Sequence, residues 1–242
     1  MKYLFSPLKN IRKFILSFPG YKDVSDDNTN LLSMAIPGFL HPGNLYCFDY
    51  AIKNIPSSAP IIEIGSFSGL STNILNYYLK LYDKKNKIIC SDPWEIPLKT
   101  GDHRRKNKIF ISKKQLRDFI KSNFIKSIKG FSKDNLPYLV ESYSNIFFKI
   151  WKQGRVTHDV LGRSIKLGGK ISFCYIDGDH SYKQAKKDFE NADNYLEKGG
   201  YLLFDDSAPY SIYGLSRLMD EILENGKYKL VIRNPNFFFQ KL

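Results

Sequence analysis

Short acidic motifs follow several apolar stretches that have the length of buried strands. These motifs are Asp92 after residues 87–91, Asp177 after residues 171–176, and Asp205 with Asp206 after residues 201–204. An unpaired carboxylate costs considerable free energy near a sheet core. Open parallel sheets bind ligands beyond the carboxyl ends of their strands. The motifs therefore predict one ligand site at one edge of a sheet.

A glycine-containing loop follows another short apolar stretch. Residues 61–72 read IIEIGSFSGLST, in which Gly65 can make a sharp turn and Gly69 allows close approach of the backbone. A dinucleotide site has the spacing G-x-G-x-x-G, but Phe67 stands at the middle glycine and would crowd a pyrophosphate. The loop therefore predicts a nucleotide cofactor without phosphates.

The cofactor is expected to contact this loop and the next strand end together. Asp92 lies 23 residues after Gly69, where its carboxylate can accept hydrogens from both ribose hydroxyls. Trp94 can cover the adenine ring. The predicted cofactor-binding residues are Glu63, Gly65, Ser66, Phe67, Gly69, Ser71, Asp92, Trp94 and Asp177. The alternatives are an ordering role in the loop for Glu63 and a place in the core for Trp94.

The elements around these motifs alternate between strand and helix. Apolar stripes predict helices at residues 6–18, 45–55, 71–81, 115–128, 136–151, 181–196 and 214–224. Strands are predicted at residues 61–64, 87–91, 155–160, 171–176, 201–204, 228–232 and 237–240, and residues 21–44 are expected to be mostly loop. Alternation of this kind predicts a parallel sheet with right-handed crossovers. The tight turn at 234–236 requires the last strand to run antiparallel.

The motifs resemble those of the class I S-adenosylmethionine-dependent methyltransferases, and more narrowly a bacterial branch of that family. The branch carries E-I-G-x-x-x-G, Y-I-D-G-D-H-S-Y and G-G-x-x-x-F-D-D-S, which stand here at residues 63–69, 175–182 and 199–207. The resemblance implies an α/β, Rossmann-like fold. Its seven-stranded sheet is mostly parallel, with an antiparallel last strand and helices on both faces. It also implies S-adenosyl-L-methionine as cofactor, with the methionine moiety near Gly65 and the ribose on Asp92.

The acidic motifs also predict a metal ion and a base. Carboxylates of Asp177, Asp205 and Asp206 at adjacent strand ends would raise one another's pKa unless a cation such as Mg²⁺ or another divalent ion were bound. Metal-dependent O-methyltransferases of similar fold use acidic residues at the same strand ends, which implies Asp177, Asp205 and Asp206 as ligands. Asp177 and His180 are the predicted catalytic residues, with His180 as general base. The alternative for His180 is a loop histidine, and His41 is a weaker candidate.

Basic charge is concentrated in one segment. The net charge is +13, and residues 103–170 hold 17 Lys and Arg against 4 Asp and Glu, which accounts for all of it. We expect a helical extension at 1–55, a methyltransferase domain at 56–242, and a basic helical insertion at about 98–168. The densest patches, 103–106 and 113–114, suit an anionic acceptor. A membrane face and a solvated surface are alternatives, and no nucleic-acid-binding motif is recognised.

Together these features predict O-methylation of a small-molecule or glycan-like acceptor, assisted by a metal. An iron-dependent hydroxylase and a non-catalytic binding module are the alternatives. Three cysteines without metal spacing predict free thiols, and the chain shows neither a signal peptide nor an apolar run long enough to span a bilayer, so we expect a cytoplasmic protein. The helix at 6–18 is expected to dock on the domain; pairing in a homo-oligomer and peripheral contact with a membrane are alternatives.

Overall fold

A computed structural model describes residues 21–95, 111–211 and 214–242 of the protein. The strands are β1 (Ile61–Ile64), β2 (Ile88–Ser91), β3 (Tyr138–Val140), β4 (Val156–His158), β5 (Ser164–Lys166), β6 (Ile171–Ile176), β7 (Leu196–Phe204), β8 (Tyr228–Arg233) and β9 (Phe237–Lys241). The helices are α1 (Asp27–Ala35), α2 (Gly43–Lys53), α3 (Leu70–Leu81), α4 (Lys113–Phe131), α5 (Ser144–Lys152), α6 (Tyr182–Asp193) and α7 (Ser216–Glu224). The predicted helix at 6–18 and the basic patch at 103–106 lie outside the described residues.

Seven strands form one sheet in the order β3-β2-β1-β6-β7-β9-β8. Neighbouring strands are parallel from β3 to β7, whereas β9 runs antiparallel to both β7 and β8. Strands β4 and β5 form a separate antiparallel hairpin. This arrangement confirms the predicted Rossmann-like α/β fold with an antiparallel last strand.

Two cores cover the two faces of the sheet, because successive side chains of a strand point to opposite faces. Phe173 and Tyr175 of β6 pack in the core that includes residues of α1 to α4. Cys174 and Ile176 of the same strand pack in the core that includes residues of α5 to α7. Cys47, Cys90 and Cys174 are buried free thiols. Within the described residues, no helix is both long enough and apolar enough to cross a membrane.

The prediction of loop at residues 21–44 is wrong where α1 forms. Asp26 caps this helix by accepting a hydrogen bond from the backbone N–H of Thr29, and the Thr29 hydroxyl accepts one from the backbone N–H of Asp26. Leu32 of α1 and Ile36, which follows it, are buried against the first core. The capping pair Asp26 and Thr29 is visible in the sequence, but the apolar stripe of this segment has too few residues to predict a helix.

The predicted helix at residues 136–151 is wrong in its first half, which forms β3. Leu139 and Val140 are buried because β3 adds to the edge of the sheet beside β2. The helix predicted at residues 181–196 ends earlier, at Asp193, and β7 begins at Leu196 and includes Gly199 and Gly200. Gly199 has φ +77°, and a Cβ on Gly200 would lie 2.8 Å from the carbonyl oxygen of Glu197. The glycines therefore accommodate an irregular strand.

Candidate functional site

The glycine loop after β1 crosses directly against the end of β6. Gly65 has φ +82°, and a Cβ there would lie 2.0 Å from the carbonyl oxygen of Asp177. Any side chain at this position would therefore displace the loop. Phe67 (φ +44°) and Gly69 (φ +89°) also have left-handed backbones. For a residue with a side chain such as Phe67 this conformation carries strain, so surrounding contacts must hold it.

Asp92, at the end of β2, holds this loop. Its Oδ2 accepts backbone hydrogen bonds from Ser66 (2.7 Å) and Phe67 (2.9 Å), and its Oδ1 accepts one from Trp94 (2.6 Å). Burial raises the pKa of the Asp92 carboxyl although these hydrogen bonds lower it. The carboxylate therefore shapes the glycine loop, and its predicted contact with ribose hydroxyls stays a prediction.

Glu63 lies beneath the loop and has no solvent-exposed surface. Its carboxyl group accepts hydrogen bonds from the hydroxyls of Ser71 and Thr72 and from the Cys90 thiol at 3.2 Å. Burial raises the pKa of Glu63 to about 7. Because these contacts join β1 to the first turn of α3, Glu63 supports the loop from below, which is the alternative role considered from the sequence.

Trp94 is also part of the support. It is 3% exposed, its Nε1 donates to the carbonyl oxygen of Phe67 at 2.8 Å, and its ring packs edge-on against Phe124 of α4 at 5.8 Å. The indole therefore occupies the core beside the loop, as the second alternative from the sequence proposed. Its predicted contact with adenine stays a prediction.

A small cleft opens above the loop. One wall is the loop with the start of α3, which contributes Ser66, Phe67, Leu70 and Ser71. The segment between α1 and α2 contributes Pro37, Gly38, Phe39 and Leu40, and the end of β6 contributes Asp177. Of the predicted cofactor-binding residues, Ser66, Phe67, Ser71 and Asp177 line this cleft. The sequence analysis did not predict a role for residues 37–40, in which the Pro-Gly pair indicates only a turn.

Asp205, at the end of β7, is held by two side-chain amides. Its Oδ1 accepts hydrogen bonds from Asn44 (2.7 Å) and Asn236 (2.6 Å). The Oδ1 of Asn236 accepts from the backbone N–H groups of Ser207 (3.1 Å) and Ala208 (3.2 Å), so the amide nitrogen must face the carboxylate. These donors favour an ionised Asp205, whereas its burial raises the pKa.

Asp177 lies next to Asp205, as predicted from the adjacent strand ends. Its Oδ2 accepts a hydrogen bond from the Tyr175 hydroxyl at 3.2 Å. Burial, followed by the charge of Asp205, raises the pKa of Asp177 well above its usual range. Because the two amides favour charge on Asp205, a proton held between these carboxyl groups is expected on Asp177.

The outer part of the site contains histidine and carboxylate side chains. The Nε2 of His180 lies 3.3 Å from the Oδ2 of Asp206, and both side chains are partly exposed. His41, a weaker candidate from the sequence, accepts a hydrogen bond at Nδ1 from the Gly43 backbone (3.0 Å). Its Nε2 is buried and has no hydrogen-bond partner among the described residues. Burial lowers the pKa of His41, against the opposing charge of Asp206. The structure therefore brings a second imidazole to this end of the sheet.

Residues 62–207 of the chain match a family model described as a methyltransferase domain. The chain belongs to this methyltransferase-domain family. The match includes the glycine loop, Asp92, Asp177 and the Asp205-Asp206 pair. No curated protein sequence matches the chain significantly.

Solved structures share the fold of this methyltransferase-family chain at low sequence identity. The SAH-bound methyltransferase PaMTH1 from Podospora anserina is 10% identical, with a TM-score of 0.59 over 100% of this chain and 98% of that one. The O-methyltransferase TomG from Streptomyces achromogenes, in complex with SAM, is 11% identical, with a TM-score of 0.54 over 95% and 96%. CalS11, a TDP-rhamnose 3'-O-methyltransferase, is 15% identical, with a TM-score of 0.55 over 96% and 92%. These similarities concern the fold.

The contacts of the acidic residues do not fit the predicted metal site. Carboxylate oxygens suit a divalent ion, but Asp205 Oδ1 already accepts two amide hydrogens and Asp206 faces His180. Across residues 21–95, 111–211 and 214–242, no group of three or more His, Cys, Asp and Glu is arranged to hold a metal. A cation bound through this oxygen would have to replace the amide contacts of Asp205.

Proposed function

We propose that this protein is an S-adenosylmethionine-dependent O-methyltransferase that acts on a hydroxyl group of a small-molecule or glycan-like acceptor. The observation that carries the proposal is the cleft between the glycine loop and Asp177, at the edge of the sheet where β6 and β7 end. Membership of the methyltransferase-domain family supports the reaction class. Structures that share the fold include methyltransferases with bound SAM or SAH, which supports the choice of cofactor.

The side chains of the cleft suit the amino-acid part of this cofactor. The hydroxyl hydrogens of Ser66 and Ser71 point to Asp92 and Glu63, so both hydroxyl oxygens remain as acceptors for an ammonium group. The Asp177 carboxyl group is a third acceptor for the same group. Phe67 limits the room for a pyrophosphate, so the cleft favours a nucleoside cofactor over a dinucleotide. When bound, the cofactor supplies a methyl group on a positively charged sulfur, and this sulfur becomes neutral as the methyl group bonds to the acceptor oxygen.

The acceptor hydroxyl must lose its proton as the new bond forms. We assign this proton to the imidazole of His180, because Asp206 lies 3.3 Å from its Nε2 and stabilises the resulting imidazolium. Asp177 lines the cleft, where it can orient the acceptor or the cofactor. The steps assigned here use side chains of the chain alone, and none of them is routed through a metal.

An anionic acceptor remains a prediction from the basic segment. In the described part of that segment, Arg117 and Lys121 of α4 both form ion pairs with Glu141, and the Lys121 contact measures 2.5 Å. Their charges are therefore partly neutralised within the protein. Recognition of an anion would depend on basic residues elsewhere in the segment, such as Lys113 and Lys114.

Cofactor binding tests the proposal directly. Isothermal titration of the wild-type protein with S-adenosylhomocysteine should show saturable binding at one site, and the absence of binding would refute the proposed function. His180→Ala should bind the same ligand normally but lose methyl transfer to catechol and nucleotide-sugar acceptors. His158→Ala is the matched control, because His158 lies on the separate β4–β5 hairpin. Equal turnover by the two variants would exclude His180 as the base.

A further inference from the structure

We propose that Ser127 of helix α4 is a positioning residue of the cofactor site, and that it holds the glycine loop in its binding conformation. This inference rests on the proposed cofactor. Ser127 lies 58 positions beyond Gly69 in the chain and outside the sequence motifs of the loop. Its side chain nevertheless contacts the loop at the two residues where the loop enters α3.

The contacts of Ser127 join three parts of the structure. Its hydroxyl hydrogen is shared between the carbonyl oxygens of Ser68 and Phe124, each at 2.9 Å, and its oxygen accepts from the Asn73 side-chain amide at 3.2 Å. Asn73 in turn donates to the carbonyl oxygen of Gly69 at 2.7 Å. Ser127 is only 8% exposed, so water cannot readily replace it. One buried hydroxyl therefore joins α4 to the loop carbonyls and to the first turns of α3.

The fit between α4 and the loop is close. A Cβ on Gly69 would lie 2.8 Å from the Ser127 hydroxyl oxygen and 3.3 Å from the ring of Phe124. Phe124 also packs against Trp94, whose indole nitrogen donates to the carbonyl oxygen of Phe67. Helix α4 thus contacts the loop directly through Ser127 and indirectly through Phe124 and Trp94.

The loop requires such support because its backbone is strained. Phe67 has a positive φ angle despite its side chain, and a strained conformation persists only where neighbouring groups over-determine it. Asp92 holds the N–H groups of Ser66 and Phe67 from the side of β2. Ser127 holds the following carbonyl from the side of α4. Without Ser127 the loop would be held mainly from the side of β2. Binding of the cofactor would then have to order the loop, and the free energy of this ordering would reduce the affinity.

The test compares alanine variants that remove similar hydroxyls, two of them near helix α4. Ser127→Ala should weaken S-adenosylhomocysteine binding by roughly tenfold, the loss expected for one buried hydrogen bond that preorganises a site. Ser132→Ala is the matched control, because the Ser132 hydroxyl is equally buried but donates to Asn73 at 2.6 Å and does not touch the loop. Ser172→Ala is a second control away from this helix, since the Ser172 hydroxyl is also buried and donates to a backbone carbonyl, that of Ala59 at 2.5 Å, near the start of β6. Both controls should bind within about twofold of the wild type.

The outcomes separate this inference from the proposed function. A wild type that binds, with Ser127→Ala weakened and both controls unchanged, supports the positioning role. A wild type that binds, with Ser127→Ala and Ser132→Ala affected equally, overturns it, because general loss of stability would then explain the effect. A wild type that does not bind refutes the proposed cofactor itself. If Ser127→Ala does not fold, Phe124→Leu provides the same comparison, and unchanged affinity in that variant overturns the inference.

Discussion

Replacing Glu63 by glutamine should stabilise the protein at alkaline pH and have little effect at acidic pH. The buried carboxyl group has a pKa of about 7 in the folded protein, compared with a reference value of 4.5. A raised pKa means that the folded state binds the proton more tightly than the unfolded state. The stabilisation is therefore fully present below pH 4.5 and is lost as the pH rises through 7. Glutamine is neutral at every pH, so the variant avoids this loss.

The size of the effect follows from the two pKa values. Linkage gives a difference of about 2.5 kcal/mol between pH 5 and pH 8, measured as the change in unfolding free energy of Glu63→Gln relative to the wild type. For a domain of this size, this corresponds to roughly 5–10 °C in melting temperature. The hydrogen bonds from Ser71, Thr72 and Cys90 lower the pKa of Glu63, and their effect is already included in the value of about 7.

Calorimetric melts of both proteins from pH 5 to pH 8 measure this difference. Glu224→Gln is the matched control, because Glu224 is exposed at the end of α7 and the substitution removes the same charge. The difference between Glu63→Gln and wild type should grow with pH, whereas that of the control should stay flat. A difference for Glu63→Gln that does not change with pH would show that Glu63 is ionised in the folded protein throughout, and would refute the reasoning.

Two further predictions concern the outer part of the site. His41→Asn retains an acceptor for the Gly43 N–H and removes a histidine whose pKa is lowered by burial. Wild-type stability should fall as the pH drops through the ordinary range of histidine, so melts from pH 7 to pH 5 should increasingly favour the variant; the opposite trend would contradict this. Asn236→Ala leaves two buried N–H groups unpaired and removes a donor from Asp205, which should cost about 2–4 kcal/mol in urea unfolding. A cost below about 0.5 kcal/mol would exclude a structural role.

The sequence could predict the central strands because their signals are local. Residues 171–176 form an apolar run between turn residues, and β6 has the same bounds because all six side chains are buried. The turn at 234–236 likewise fixed the antiparallel end of the sheet. In contrast, β3 contains only three residues and pairs with β2 alone in the main sheet. Such a short edge strand has no period of its own, so the sequence could not separate it from the following helix α5.

The order of motifs along the chain determined which strand ends carry glycine, carboxylate and histidine. A parallel sheet then places these residues at one edge, because all its strands end there. The sequence therefore predicted the neighbourhood of the site without its internal contacts.

Tertiary structure alone decided which groups these carboxylates contact. Asn44 and Asn236 lie 192 positions apart in the chain, yet both amides reach Asp205, and the hydroxyl of Ser127 reaches the loop from a different helix. These contacts depend on how α2, α4 and the β8–β9 turn pack around the sheet. The sequence around any one of these residues predicts only the local conformation and not its contacts with distant residues. Packing therefore determined that side-chain amides bind Asp205 and that the glycine loop is held from two sides.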